Sequence, residues 1–340
     1  MPDKETKRIL ITGASGFIGG YLVQEAVKKG YEVYAAIRKN SNTSRLKQKD
    51  IRLIEIDYTN PEAIARMCDQ LAPSAEEPAF HYVVHNAGVT KVKNLSDFRE
   101  INAENTRRLI EGLSKSLQPP LHFVLMSSMG SYGATPNNTD PLYCTDPQNP
   151  CTEYGRSKLL AEQYITQSKL RYSILMPTGV YGPGDKDYLM AIKAINKGFD
   201  FITGPTPQML TFVYGEDVAR AALFILDKPE SIGQRYIVSD GNTYTDMEFG
   251  RLVQKILGRK RVLHLRVPLH FVKLGCHLGQ RWGDLTGNIL PLNKDKYAIL
   301  AQRNWRCDAS PLFLLGFKPL YDLEKGIRET VKYARDHKLL

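Results

Sequence analysis

Tyr154-Gly155-Arg156-Ser157-Lys158 sets a phenol and an ammonium four residues apart. On a helix that spacing puts both on one face, so the two can point together into a cleft. The pair suits transfer of a proton to an oxygen that is becoming an alkoxide, with Tyr154 as donor, or as base in reverse. A free phenol holds its proton to about pH 10, and a neighbouring ammonium favours the phenolate and lowers that value. Ser127 and Ser128 close the apolar run that begins at Leu121. A serine hydroxyl there can donate to a substrate oxygen as negative charge develops on it. A second Tyr-x-x-x-Lys, Tyr321 to Lys325, reads as an ordinary helical face. Only Tyr154 follows a run ending in Ser-Ser and continues as Ser-Lys-Leu-x-x-Glu.

These side chains need a scaffold, and the N-terminal part of the chain predicts one. A β-branched apolar run ends at Thr12, glycines follow at 13, 16 and 19, and helical periodicity starts at Phe17. That is a buried strand, a tight turn and a helix start. Gly13 permits the turn, Gly16 removes a Cβ that would block a pyrophosphate, and Gly19 lets the helix press on the sheet. The helix N-terminus then offers free N–H groups to phosphates. Further strands are predicted at Tyr31–Ile37, Ile51–Asp57, Tyr82–Gly88, Leu121–Ser128 and from Tyr172, with Gly233–Gly241 as another strand and turn. Strands alternating with helical stretches predict an α/β, Rossmann-type doubly wound parallel sheet, with ligands outside the carboxyl ends of the strands. The second strand ends in Arg38-Lys39 with no acidic residue to grip a ribose 2′-hydroxyl. Arg38 can instead pair with a 2′-phosphate, so the cofactor expected is NADP(H) in preference to NAD(H).

Residues 12 to 19, Thr-Gly-Ala-Ser-Gly-Phe-Ile-Gly, match without a gap the Thr-Gly-x-x-Gly-Phe-Ile-Gly fingerprint of the extended short-chain dehydrogenase/reductases. With Tyr154 and Lys158, the chain resembles that group, the NAD-dependent epimerase/dehydratase family. The resemblance implies that Ser15, Phe17 and Ile18 join the three glycines around a dinucleotide. It puts Asp57 on the adenine with Tyr58 beside it, although Asp57 has a competing role in capping the turn before Pro61. Ala87 and Gly88 come against the cofactor, Asn102 opens a partial match to Asn-x-x-Gly-Thr, and Pro177 through Val180 face the nicotinamide. Ser127, Tyr154 and Lys158 complete the cofactor set, with Lys158 on the nicotinamide ribose, and Ser128 is the catalytic hydroxyl. The chain departs from the pattern at Asn105 for glycine, Ser131 for valine and Met176 for arginine, and it keeps Asp217.

Substrate is less directly written. Dehydratases of the group follow the catalytic hydroxyl with Asp-Glu, whereas Met129-Gly130 stands here, which argues against dehydration. Val267–Gly275 is amphipathic, and with Trp305–Ser310 and Leu315–Pro319 it resembles the hydroxysteroid-dehydrogenase and dihydroflavonol-reductase branch. A hydrophobic ketone or alcohol is expected, such as a keto-sphingoid base, an oxo-ceramide or a sterol. The rivals are a nucleotide-sugar epimerase with tightly bound NAD, and a non-catalytic NADP-binding sensor. Residues 1–185 form the dinucleotide-binding unit, with 206–244 returning to it. Residues 186–205 and 245–310, which lack strand–helix alternation, form a smaller, mostly helical substrate region, and a helix within 311–340 packs back. The resemblance adds a homodimer.

The 340 residues carry a net charge of +10. The basic cluster Lys255, Arg259, Lys260, Arg261 and Arg266 lacks the aromatic interleaving of a nucleic-acid binder, so none is expected, and attraction to an anionic membrane surface or to phosphorylated ligands stays equally open. Five scattered cysteines and seven histidines show no metal-ligand spacing, so no metal is expected. No signal-peptide pattern opens the chain and no run reaches the roughly 18 apolar residues of a membrane span, so a cytoplasmic protein, with or without contact at a membrane surface, is expected.

Overall fold

Seven strands hydrogen-bond in parallel into one sheet, and β1 (Arg8–Thr12) lies inside it, buried along its length. On one side it pairs with β2 (Glu32–Ile37), which pairs with β3 (Ile51–Glu55); Ile11 stands opposite Ala35. On the other side come β4 (Tyr82–His85), β5 (His122–Met126) and β6 (Tyr172–Pro177), with Ile11 opposite Val84. Short strands β7 (Gly179–Tyr181), β8 (Phe199–Thr203), β9 (Met209–Leu210) and β10 (Phe212–Tyr214) follow, and β11 (Arg235–Val238) closes the main sheet beside β6. The spatial order 3-2-1-4-5-6-11 reverses direction between β1 and β4, which opens a crevice at their carboxyl ends. The computed structural model describes residues 6–44, 46, 51–135, 140–286 and 294–340. The first five residues of the charged N-terminal stretch, residues 136–139 of the loop before Tyr154 and residues 287–293 of the expected substrate region lie outside the described residues.

Both faces of the sheet are apolar because a parallel strand is covered on each side. On one face Ile9, Ile11, Val33, Val84 and Val124 pack against α1 (Phe17–Lys28). On the other, Leu10, Val83, Phe123 and Ile174 meet α2 (Pro61–Leu71), then, beyond a short α3 (Ser96–Phe98), α4 (Asn105–Lys115) and α5 (Glu153–Thr166). A third core gathers Tyr181, Phe212 and Tyr214 with α6 (Asp187–Asn196). Next to it α7 (Gly215–Ile225) joins the first face, and α8 (Asp246–Leu257) extends the third core.

Residues 186–205 and 245–310 differ from expectation. β12 (Tyr244–Thr245) pairs with β9, and β13 (Leu263–Val267) pairs in parallel with β8 across α8, a small strand–helix–strand unit. The reason it escapes a pattern search is that β8 carries Asp200 inward and Phe199 and Phe201 outward. Asp200 faces His264 Nδ1 at 2.8 Å. Then come α9 (Leu269–Thr286), α10 (Lys294–Leu300), α11 (Ser310–Leu314) and α12 (Leu323–Asp336). Leu323, Ile327 and Val331 of α12 enter the third core. Buried Asp217 accepts from the backbone N–H groups of Leu320 and Tyr321, which fastens the approach to α12. Among the described residues no helix is long and apolar enough to cross a membrane.

Candidate active site

Gly13 adopts φ +65°, and a Cβ there would lie 2.9 Å from the backbone of Ala87, so the turn both needs glycine and abuts the exit of β4. A Cβ on Gly19 would overlap the Gly13 carbonyl: the helix is pressed on the loop's own backbone rather than on the sheet. A Cβ on Gly16 would meet only the Gly13 carbonyl, at 3.1 Å, and otherwise project into open space. Gly16 caps α1 without any side-chain bond, and the first turn holds no acidic residue. The opening N–H groups of a helix lack intrahelical partners, and here neither a side-chain cap nor a first-turn acid takes them, which fits a dinucleotide pyrophosphate. Ser15 and Ile18 flank this turn, and Phe17 packs edge-on to Tyr21, 5.7 Å between centroids.

Across the crevice, Ser128 follows β5 and caps a single 3₁₀ turn, its Oγ accepting from Gly130 N at 3.1 Å. Tyr154 stands in the first turn of α5, whose N-cap Thr152 accepts from Gly155 N. The Ser128 hydroxyl acts on the Tyr154 phenol and favours its ionised form. Gly130 backs the Tyr154 ring, where a Cβ would come within 3.7 Å, and Phe98 meets that ring edge-on at 5.9 Å. Lys158 is buried and donates from Nζ to the Met126 carbonyl at 2.6 Å. Burial pushes its pKa down to about 8, with Glu162 pulling the other way. The expected lowering of Tyr154 by this ammonium is not what dominates. Burial raises the phenol above its ordinary value, and the Ser128 hydroxyl pulls it back.

A buried polar chain, invisible as a motif, joins the two halves. Thr12 Oγ1 accepts from Ala87 N at 3.0 Å and meets His85 Nδ1 at 2.7 Å; Tyr58 bonds the same hydroxyl. His85 Nε2 lies 2.8 Å from Thr106 Oγ1, which donates to the Asn102 carbonyl. The direction of these bonds puts the imidazole proton on Nε2. Burial first and Lys158 second push His85 down to about 3, so it is neutral. Asn102 clasps Val89 through both ends of its amide and donates to Ser157 Oγ at 3.0 Å; Ser157 donates to the Tyr154 carbonyl at 2.7 Å. Asn102 sits in a π-helical turn, Arg99–Glu104, just before α4. Such turns aim a side chain that an α-helix would direct elsewhere. Gly88 lies where a Cβ would touch Asn102 Oδ1 at 3.0 Å and come within 3.9 Å of Lys158 Nζ.

The remaining predicted residues divide. Arg38 is exposed at the end of β2, and among the described residues its guanidinium has no carboxylate partner. Asp57 is exposed and accepts from both the N–H and the hydroxyl of Thr59, which hold its carboxyl below the usual range. The helix cap before Pro61 is Asn60, not Asp57. Tyr58 is pushed up to about 12 by burial. Pro177 is buried at the end of β6 opposite Val238, and Val180 packs on the first core. Ser127 donates its hydroxyl to buried Glu162, which also accepts from Gln148 at 2.8 Å, and its N–H is held by the Leu175 carbonyl. Met176, in the place of an arginine, is core.

A profile of the NAD dependent epimerase/dehydratase family matches residues 9–239. The chain belongs to that family. Its members are NAD-dependent oxidoreductases, epimerases and dehydratases, so this chain is an enzyme acting on a small molecule with a nucleotide cofactor. It is similar to a ceramide reductase of Caulobacter vibrioides, 22% identical over 329 residues that cover 96% of this chain and 94% of that one. It is equally similar in extent to a UDP-glucose 4-epimerase of Vibrio cholerae, 26% identical across 97% and 96% of the two chains. Among solved structures, the Bordetella bronchiseptica enzyme WbmG in complex with NAD shares the fold at a TM-score of 0.77, with 19% identity over 99% of this chain and 96% of that one.

Proposed function

We propose that the chain reduces a ketone on a hydrophobic, lipid-like substrate to a secondary alcohol, or runs the reverse, with NADP(H) in preference to NAD(H). A keto-sphingoid base, an oxo-ceramide or a sterol fits the reading. The nicotinamide, when bound, supplies the hydride. Tyr154 holds the proton that the alkoxide takes, and Ser128, whose hydroxyl also acts on the phenol, donates to the substrate oxygen. Lys158 holds the ribose of the cofactor and supports the phenolate left behind. The Gly13–Gly19 turn takes the pyrophosphate, Ala87 and Gly88 leave room beside it, and Arg38, with no carboxylate partner among the described residues, takes the 2′-phosphate.

The observation that carries the reading is that Ser128 Oγ and the Tyr154 ring meet beside Gly130, with Lys158 one turn further along α5. Met129 is core and Gly130 backs the phenol, so no carboxylate follows Ser128 to drive dehydration. An epimerase of the sugar-nucleotide kind would need cations in the substrate region for a diphosphate. Here Arg259 bonds Asn196, Arg266 the Gly204 carbonyl, and Arg303 the carbonyls of Thr203, Thr206 and Leu300. The likeness to a ceramide reductase adds support. Residues 1–185 with 206–244 serve the cofactor in this reading, and the remainder shapes the substrate cleft. A homodimer and contact with a membrane surface belong to it as well. The test offers NADPH and a panel of keto-lipids or UDP-sugars to the purified protein. NADPH loss with a keto-lipid, abolished in Tyr154→Phe, is the expected result. UDP-sugar interconversion without net cofactor loss would overturn it, as would binding without turnover on either panel.

A further inference from the structure

The helix α9 leaves one face bare. Phe271, Leu274, Leu278 and Trp282 are between 56% and 63% exposed. Their spacing of three, four and four residues lines them along one side of a helix about 27 Å long. Cys276 and Gly283, on the opposite side, are buried against the protein. Arg281 is exposed and borders the apolar stripe on one edge, and Lys273 is exposed further round the helix on the same side. A folded chain rarely leaves four large apolar side chains in a row in water without a partner.

We propose that this stripe docks the enzyme on an anionic lipid bilayer, with α9 lying in the plane of the interface. The helix has the composition that position requires: Phe, Leu and Trp on one face and cations beside it. The charge is complementary to anionic headgroups, since residues 260–286 hold five lysines and arginines against one aspartate and the whole chain is at +10. The neighbouring strands continue the surface. Phe199, Phe201 and Leu263 are exposed on β8 and β13, and Gly204 after β8 shares a cleft with Pro268 and His270 at the start of α9. The site is also near the chemistry. α10 packs against α9, and its Asp295 accepts from the backbone N–H of Tyr154 at 3.3 Å. An insoluble ketone would therefore meet the catalytic helix at the bilayer, and for this purpose alone the inference rests on the lipid-ketone reading.

The test is sedimentation of the full chain with vesicles of phosphatidylcholine, with and without phosphatidylglycerol as a minor component. The protein should pellet with the anionic vesicles and be released by salt. Leu278→Glu, at an exposed position, should weaken that binding roughly tenfold or more while circular dichroism and NADPH binding stay unchanged. In a Trp305→Phe background Trp282 is the sole tryptophan, and brominated phosphatidylcholine in the anionic vesicles should quench it. No pelleting, equal pelleting of Leu278→Glu, or an unquenched Trp282 overturns the inference. So does a dimer that Leu278→Glu dissociates in the absence of vesicle binding, which would assign the stripe to a second copy. Neither readout uses turnover. Vesicle binding with no activity on any keto-lipid would sink the substrate reading alone, and turnover of a dispersed keto-lipid without vesicle binding would sink the docking face alone.

Discussion

Lys158→Met should make the cofactor-free protein more stable at neutral pH and less stable at high pH. The ammonium is 6% exposed, and burial takes its pKa from 10.5 to about 8. Between those values the unfolded chain binds more protons than the folded one, so the Lys158 contribution to stability rises with pH across that window. Below it, holding the charged form inside costs the fold about 3 kcal/mol. Methionine removes that cost but also removes the donor to the Met126 carbonyl, a loss of about 1 kcal/mol. The variant should therefore gain about 2 kcal/mol at pH 7 and lose about 1 kcal/mol above pH 10.5. Urea titrations of both proteins across that range read the difference directly, because other titrating groups cancel between them. A difference that does not change with pH would refute the reasoning, since it would mean that the pull of Glu162 offsets burial. Turnover should vanish at every pH, which separates what Lys158 does for the reaction from what it does to the fold.

Arg38→Glu should weaken NADPH roughly tenfold to a hundredfold, the worth of a charged hydrogen bond, and leave NADH nearly unchanged in a fluorescence titration. Gly13→Ala meets both a left-handed φ and the Ala87 backbone at 2.9 Å; a loss of about 1–3 kcal/mol in thermal unfolding should accompany weaker cofactor binding. Asp217→Asn would keep one oxygen for the Leu320 and Tyr321 N–H groups but turn an amide N–H₂ toward the Arg220 guanidinium that the carboxylate now pairs, and a melt should show about 3 kcal/mol lost.

The Gly-rich turn and the Ser128–Tyr154–Lys158 set are legible in sequence because their chemistry is local: a turn, a strand end, one helical face. The predicted strands run past their true ends, since Asp57, Gly88 and Ser128 belong to apolar runs yet leave the sheet to form the crevice rim. His85 is illegible for a different reason. A lone histidine on an apolar strand announces nothing, and its partners, Thr12 and Thr106, are brought to it only by the sheet and α4. The π-helical turn at Asn102 leaves no compositional trace. β8 defeats the alternation rule by inversion, with the acid inside and the aromatics out.

The third core has an unusual order of manufacture. Tyr181 donates its hydroxyl to the Asp322 carbonyl, 141 residues later, and a Cβ on Gly326 would collide with that same phenol. As the chain emerges from the ribosome, the seven-stranded sheet has all its strands once Val238 is made, while Tyr181, Phe212 and Tyr214 still lack the helix that covers them. A nascent chain thus passes through a stage with every strand of the sheet made and an aromatic seam still open, which α8 covers in part and α12, made last, closes.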